Sequence, residues 1–249
     1  MKICSIIITK NEEKMIQDCI KSVSWCDEII VIDTGNTDKT NQIAKKLKAQ
    51  IYKYKENGSY DEWRNFAAKK TNCDWIFYID ADERCTPELK SELLDKLPDT
   101  NLNAFAVPRR NFIFGKEFKH SGQYPDYQKR VLRKKTFKKW VGKVHEEPEF
   151  EGELGHLENP LLHYKNMTLS QMVEKTNSWS EIEARLMFEA HHPKMNIPRF
   201  FSAIARELWK RMFLELAFLD GTKGIIYAIY QVFSKFTSYA KLYELQIKK

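Results

Sequence analysis

The sequence predicts an α/β fold in which a mixed, mainly parallel sheet carries helices on both faces, followed by a helical C-terminal extension. Three observations lead there. Through residue 97, short apolar β-branched runs alternate with segments of helical periodicity. Between residues 104 and 164, strand-like runs dominate. From Thr168 onward the apolar residues recur at helical spacing. The division this suggests is an α/β domain over residues 1–166 and a helical region over residues 167–249.

Residues 2–9 and 28–32 read as strands, and between them Met15, Ile16, Cys19, Ile20 and Val23 recur at helical spacing, completing a β-α-β unit. Thr37-Asp38 opens a second helix with Ile43, Ala44 and Leu47 on one face, before a third strand at 51–54. A third helix covers residues 62–70, and the fourth strand runs from Trp75 to Ile79. Thr86-Pro87-Glu88 reads as an N-cap with proline at the first helical position, starting a helix that ends near Leu97. Residues 104–107 and 128–132 are strands joined by a long basic and aromatic loop containing Phe112, Phe114, Gly115 and Tyr124, and long loops inside compact domains are usually functional. Residues 140–147 and 161–164 are strand-like. A helix over 170–190 stops at His191-His192-Pro193, and helices over 200–218 and 224–243 form a hairpin about Asp220-Gly221-Thr222-Lys223-Gly224, whose glycines suit a helix stop.

A chain of 249 residues with 43% hydrophobic and 30% charged content can bury a full core, and its 9 Gly and 8 Pro leave no low-complexity tract. The five cysteines, at 4, 19, 26, 73 and 85, are odd in number and show no paired spacing, which suits a reducing compartment. The apolar N-terminus is short, has no small-residue cleavage site and runs into charged residues, so it reads as a strand rather than a signal peptide. No window reaches the roughly 18 apolar residues of a spanning helix. The expected location is the cytoplasm, at the inner face of the membrane.

The net charge of +7 is unevenly spread: residues 109–143 carry a local +10, residues 194–249 a local +6, and the remainder −9. That asymmetry points to an anionic ligand or surface on one side of the molecule. In the last region Trp209, Met212, Phe213, Leu216, Phe218, Ile225, Ile226, Ile229, Phe233 and Phe236, with Tyr227, Tyr230 and Val232, exceed what a two-helix amphipathic stripe requires. They are interleaved with Arg206, Lys210, Arg211, Lys223, Lys235 and Lys241, the pattern of helices lying on anionic lipid. Packing on the α/β domain or on a second subunit of a homo-oligomer remains open.

In an α/β sheet of this kind, ligands bind beyond the carboxyl ends of the strands. The polar residues there are Thr9, Asn11 and Glu12 after the first strand, Asp33 after the second, and Asp80, Asp82 and Glu83 after the fourth. Three carboxylates within four residues suit a hard divalent cation completed by substrate phosphate oxygens; an acidic turn leading into a helix cap is the plainer reading. His156, His163, His191 and His192 lack zinc-site spacing with the cysteines and read as structural or surface residues.

Ile7-Ile8-Thr9-Lys10-Asn11-Glu12-Glu13, then Trp25 through Asp38 with its Asp33-Thr34-Gly35-Asn36-Thr37-Asp38 end, then Trp63-Arg64-Asn65, then Asp80-Ala81-Asp82-Glu83 resemble the motifs of glycosyltransferase family 2, in order. The resemblance is closest to small bacterial enzymes that extend lipopolysaccharide core or related cell-surface glycans. It covers about residues 1–165 and continues more weakly to the end. It implies a GT-A nucleotide-sugar-binding catalytic domain, a nucleotide-sugar donor such as a UDP-sugar, Mn²⁺ or Mg²⁺, inversion at the anomeric carbon, and a glycolipid or cell-envelope glycan acceptor. By the same resemblance Thr9, Asn11, Glu12 and Asp33 line the nucleoside pocket, Arg64 lies near base or phosphates, Asp80 contacts ribose or sugar, and Asp82 contacts the metal.

An inverting transfer needs a general base on the face opposite the leaving group. Asp126, Glu146 and Glu147 are the candidates; His145-Glu146 looks like the subgroup's His-Glu pair, which makes Glu146 the expected base and His145 a metal or diphosphate contact. Asp126, Arg130 and Arg133 are candidate acceptor or phosphate contacts. Two other classes compete. A nucleotidyltransferase calls for a glycine-rich triphosphate loop after the first strand, which Thr9–Glu13 lacks. A nucleic-acid-binding module explains the basic aromatic segments but not acidic strand ends, so no nucleic-acid partner is expected.

Overall fold

The computed structural model describes residues 1–54, 57–142, 146–165 and 168–248. The chain forms two compact units, Met1–Arg110 with Pro125–Tyr164, and Asn111–Tyr124 with Lys165–Lys249.

The first unit opens with β1 (Ile3–Thr9), α1 (Ile16–Ser22), β2 (Glu28–Asp33), α2 (Thr40–Lys46), β3 (Gln50–Lys53), α3 (Tyr60–Ala68) and β4 (Trp75–Tyr78). These strands are parallel in the order β3-β2-β1-β4. Successive side chains of β1 go to opposite faces: Ile3 and Ile7 enter one apolar cluster with Val31, Trp75 and Phe77, while Cys4 and Ile6 enter a second with Ile30, Ile76 and Tyr78. Burial on both faces is why these strands read as continuous apolar runs. Each fully buried Ile contributes about 1.5–3 kcal/mol of transfer free energy.

After β4 come β5 (Glu83–Cys85), α4 (Pro87–Lys96), β6 (Ala104–Ile113), β7 (Lys116–Phe118), β8 (Asp126–Arg133), β9 (Phe137–Val141), β10 (Glu147–Phe150), β11 (Leu154–His156) and β12 (Leu161–Lys165). β8 joins β4 antiparallel, with Phe77 opposite Val131, and the sheet continues β8-β6-β12-β5. β12 and β5 are antiparallel, with His163 opposite Glu83. β9 and β10 form a separate antiparallel pair.

Two elements differ from the sequence expectation. The second helix begins at Thr40, not Thr37, because the preceding residues are held by side chains: Asp38 Oδ1 accepts the Thr40 N–H and its Oδ2 the Glu13 N–H, while the Thr37 N–H donates to Asn11 Oδ1. The basic aromatic loop is in part regular structure. β6 runs on to Ile113 and turns back into β7 through Phe114 and Gly115, both at positive φ, as a two-residue hairpin whose twist matches its strands requires.

In the second unit α5 (Leu169–Glu189), α6 (Ile197–Trp209) and α7 (Gly221–Ile247) account for most residues. Thr168 and Gln171 form a reciprocal capping box at the start of α5. α5 and α7 pack through Ala184 and Leu242, and Ser238 Oγ donates to Glu183 Oε2 at 2.6 Å. The expected helix over 200–218 is interrupted: a π turn spans Lys210–Leu214, Leu216 has φ 50°, and a 3₁₀ turn spans Ala217–Asp220. The chain is caught there by the segment after β7. Ser121 N–H donates to the Glu215 carbonyl at 2.7 Å, and the buried Asp220 carboxylate accepts from the backbone of Lys119 and His120 and from Ser121 Oγ. Gly224 does not stop a helix; it lies inside α7, where a Cβ would come within 2.1 Å of the Ala217 carbonyl oxygen. Among the described residues, no helix is long and apolar enough to cross a membrane.

Asp220→Ala leaves the buried Ser121 hydroxyl and two part-buried amides without their acceptor, so the variant is expected to lose about 1–3 kcal/mol of unfolding free energy by urea titration, the cost of an orphaned buried donor.

Candidate active site

The carboxyl ends of β1, β2 and β4 lie side by side, Thr9 opposite Asp33 and Ile6 opposite Tyr78. Asp33 builds the turn that follows β2: its Oδ1 accepts the N–H groups of Gly35 (2.9 Å) and Asn36 (2.7 Å), and its Oδ2 accepts Asn41 Nδ2 (2.8 Å). Burial opposes ionisation of Asp33, but the Asn36 amide, Asn41 and the Gly35 amide together hold its carboxyl below the usual range. Asn36 donates to Thr9 Oγ1 and receives the Asn11 N–H, with Asn11 at φ 58°, a conformation that asparagine tolerates. The loops after β1 and β2 are thus locked together by the very residues of the two motifs.

Beyond β4 lies a chain of alternating charges. Asp80 pairs with Arg130 through its Oδ2 and with Arg64 Nη2 at 3.3 Å. Glu83, fully buried, accepts from Arg130 Nη2 at 2.7 Å and Arg109 Nη1 at 3.2 Å, and its other oxygen receives the Asp80 N–H. Arg109 grips Asp126 Oδ2 through Nε and Nη2 at 2.9 and 2.6 Å. Arg64 is buried against Trp140, its guanidinium carbon 4.5 Å from the ring centroid, and donates to Glu146 Oε1 at 2.7 Å. For Asp80, burial pushes the pKa up, but Arg130 and then Arg64 more than offset it and hold the carboxyl well below the usual range.

Asp82 stands apart from the arginines. Its side chain is 37% exposed, and its Oδ2 lies 3.3 Å from His163 Nε2 on β12. Two such donors fit a divalent cation that takes its remaining ligands from substrate phosphate and water. Among the described residues no three His, Cys, Asp or Glu side chains are gathered to hold a metal unaided. His145 lies outside the described residues.

Most candidate residues converge here. Arg64, Asp80, Asp126, Arg130 and Glu146 share one network, with Asp82 beside it, and Arg64 does not pair with Asp61, which receives Ser59 Oγ instead. Arg133 does not join them: it pairs across from Trp75 at the amino end of β4, stacks on that ring at 4.5 Å and donates to the carbonyls of Thr100 and Leu102. Its register four residues before Ile79 explains why it holds backbone and not a phosphate. Glu147 is exposed and paired with Lys129. Glu83, read as one of three carboxylates for a cation, is instead buried between Arg109 and Arg130. Two participants went unread in the sequence: Arg109 is visible as a charge but not as a buried partner, and His163, taken as structural, is carried beside Asp82 by a strand pairing that no local pattern announces.

The family description for glycosyl transferase family 2 matches residues 4–149. The chain belongs to this family. A glycosyltransferase of Rickettsia typhi is 29% identical over 263 residues, covering 99% of this chain and 88% of that protein. The lipopolysaccharide core biosynthesis glycosyltransferase LpsC of Rhizobium meliloti is 28% identical over 264 residues, covering 98% and 93%. Among solved structures, Staphylococcus aureus TarS in complex with UDP-GlcNAc has a TM-score of 0.52 at 14% identity, covering 100% of this chain and 92% of that one. Glucosyl-3-phosphoglycerate synthase of Mycobacterium tuberculosis, crystallised with Mn²⁺, UDP and glucosyl-3-phosphoglycerate, has a TM-score of 0.50 at 16% identity, covering 79% and 82%. These likenesses give the GT-A fold.

Within this family 2 enzyme Glu12 sits close to its acidic neighbours. Burial, then Asp82, Asp38 and Asp80, push its pKa up to about 7. A carboxyl raised in the folded state binds a proton there that the unfolded chain has already lost. Stability therefore falls as pH rises from the unfolded pKa, near 4.5, through about 7. Glu12→Gln is expected to raise the thermal midpoint at pH 8 and leave it unchanged near pH 4, read by differential scanning calorimetry in metal-free buffer.

Proposed function

We propose that the protein is an inverting, metal-dependent glycosyltransferase that moves a sugar from a UDP-sugar to a lipopolysaccharide-core or other cell-envelope glycan acceptor. The observation that carries this reading is the shared guanidinium of Arg64, which joins Asp80, at the end of the donor-side strand, to Glu146, the one carboxylate of the network on the β9–β10 side. UDP is favoured because TarS and glucosyl-3-phosphoglycerate synthase, which share the fold, were crystallised with UDP or a UDP-sugar. The acceptor class follows the relative LpsC. On this reading residues 1–166 hold the chemistry and the protein works at the cytoplasmic face of the membrane.

Glu146 acts as general base. Its carboxylate takes the proton of the acceptor hydroxyl as that oxygen bonds to the anomeric carbon from the side opposite the diphosphate. The bond from the anomeric carbon to the diphosphate oxygen breaks with its electron pair on UDP. Arg64 orients Glu146, and Trp140 fixes the plane of Arg64. Thr9, Asn11, Glu12 and Asp33 frame the nucleoside end, and Asp80, held by Arg130, meets sugar or ribose hydroxyls. Asp126, bound to Arg109, borders the acceptor side. Asp82 and His163 would hold the cation, which would supply positive charge to neutralise the leaving diphosphate.

Glu146→Gln is expected to lower sugar transfer by about 10²–10⁴-fold, the range for loss of a positioned base, while the Kd for UDP-sugar by calorimetry stays within a factor of three. Near-normal turnover would remove Glu146 from the mechanism.

In a thermal-shift panel of UDP-, GDP-, ADP- and dTDP-sugars with and without Mn²⁺, UDP-sugars are expected to stabilise the protein by about 2–3 kcal/mol at a hundredfold excess over Kd, and only with the metal. Asp82→Asn and His163→Ala should each erase the Mn²⁺ dependence; an undiminished shift in both would move the cation elsewhere.

A further inference from the structure

We propose that the outward face of α6 and the π turn after it form a docking surface for an anionic lipid bilayer. The proposal deepens the glycolipid-acceptor reading and rests on it for its biological purpose, but its physical basis is separate. Ile197, Phe201, Leu208, Trp209, Phe213 and Leu214 are all exposed, Ile197 to 85%, Phe201 to 77% and Leu214 to 71%. In α6 the spacing 197, 201, 208, 209 puts four of them on one side, while Phe200, Ala203 and Ile204 turn toward the rest of the unit. A large apolar face turned to water is the reverse of what a helix on a soluble domain presents.

Charge identifies the occupant. Arg206 and Lys210 lie one turn apart beside Trp209, and Arg199 lies two turns before Arg206 on the same side, across the helix from Ile197, Phe201 and Leu208. From residue 194 to 214 the lone acidic side chain is Glu207, engaged by Arg211 Nε at 2.8 Å, and Glu215 just beyond it pairs with Arg211 Nη1 at 2.8 Å and Lys210 Nζ at 3.5 Å, so the charge argument rests on Arg199 and Arg206. The helix therefore offers cations on the side opposite an apolar stripe, the arrangement that sinks into the acyl boundary while basic groups meet lipid phosphates. Trp209 and Phe213, exposed with centroids 4.4 Å apart, supply amphipathic rings of the kind enriched at that boundary. A helix of 13 residues is about 20 Å long, too short for a hydrocarbon core of about 30 Å, so it lies in the plane of the surface. A second copy is the weaker occupant, because a two-fold contact through this face sets one basic helix against its own copy.

The test is co-sedimentation of the full chain with vesicles of phosphatidylglycerol and phosphatidylethanolamine, against vesicles of phosphatidylcholine. Binding is expected to be at least tenfold tighter to the anionic vesicles and to weaken with salt. Arg199→Glu with Arg206→Glu is expected to weaken it by about thirtyfold or more, since each basic residue near such a surface adds about a fivefold gain. Ile197→Ser with Phe201→Ser should weaken binding to a similar extent, and both pairs, being exposed, should keep the far-UV spectrum and thermal midpoint of the parent. Equal binding to both vesicle types, or none to either, overturns the proposal. So does a dimer in sedimentation velocity that the Ile197→Ser, Phe201→Ser variant dissociates. Donor turnover is measured without vesicles, so loss of transferase chemistry and loss of lipid binding are read separately.

Discussion

Arg130 is buried between Asp80 and Glu83, and the geometry of the acidic strand end depends on that placement. Removing Arg130 and Glu83 from water costs several kcal/mol per ion, recovered only when each is paired and hydrogen-bonded. Here the recovery is shared along a chain: Arg109 binds the second side of Glu83, Arg64 binds the second side of Asp80, and the Asp80 N–H closes on Glu83. Arg64, Arg109 and Arg130 face Asp80, Glu83, Asp126 and Glu146, with Asp82 and Glu12 beyond them. The balance is negative, and it adds to burial in raising the Glu12 pKa. A divalent cation relieves that excess, whereas an anionic diphosphate alone aggravates it. On the proposed function, donor and metal would complement the site electrostatically only as a pair.

What could be read from the chain was mostly local. The first four strands and the helices between them follow from periodicity, because each is a contiguous run whose burial on two faces leaves a plain apolar signature. The acidic strand ends were legible for the same reason: a carboxylate directly after such a run stands at the sheet edge wherever the strands finally sit. His163 was not legible, since its proximity to Asp82 depends on the antiparallel pairing of β12 with β5, elements about 80 residues apart. Arg130 and Arg133 illustrate the limit further. Three residues apart on one strand, they look alike in sequence, yet one closes on the carboxyl end of β4 and the other on its amino end.

The helical unit shows a different limit. Its excess of large apolar residues is plain in the sequence, but sorting them requires the packing. Tyr227 turns in against Phe118, and Tyr230 hydroxyl joins Thr176 and the Met172 carbonyl, while Ile225, Ile229, Phe233 and Phe236 stay exposed. The break before α7 is equally nonlocal. No proline or glycine marks Lys210–Leu216; the helix yields there because Ser121 and its neighbours take the Glu215 carbonyl and the Asp220 carboxylate. By contrast His191, at φ 55° before Pro193, ends α5 where the sequence says it must.

Arg64 links the two halves of the proposed chemistry. Its plane is set by Trp140, with Tyr78 also within 5.9 Å, so its two Nη atoms have little freedom in where they point. One reaches Asp80 and the other Glu146. A lysine at this position has a single charge centre on a flexible stem and cannot hold both carboxylates in one fixed relation, nor stack on the indole in the same way. On the proposed mechanism, the carboxylate that takes the acceptor proton is therefore positioned from the donor-side strand, through an arginine on α3.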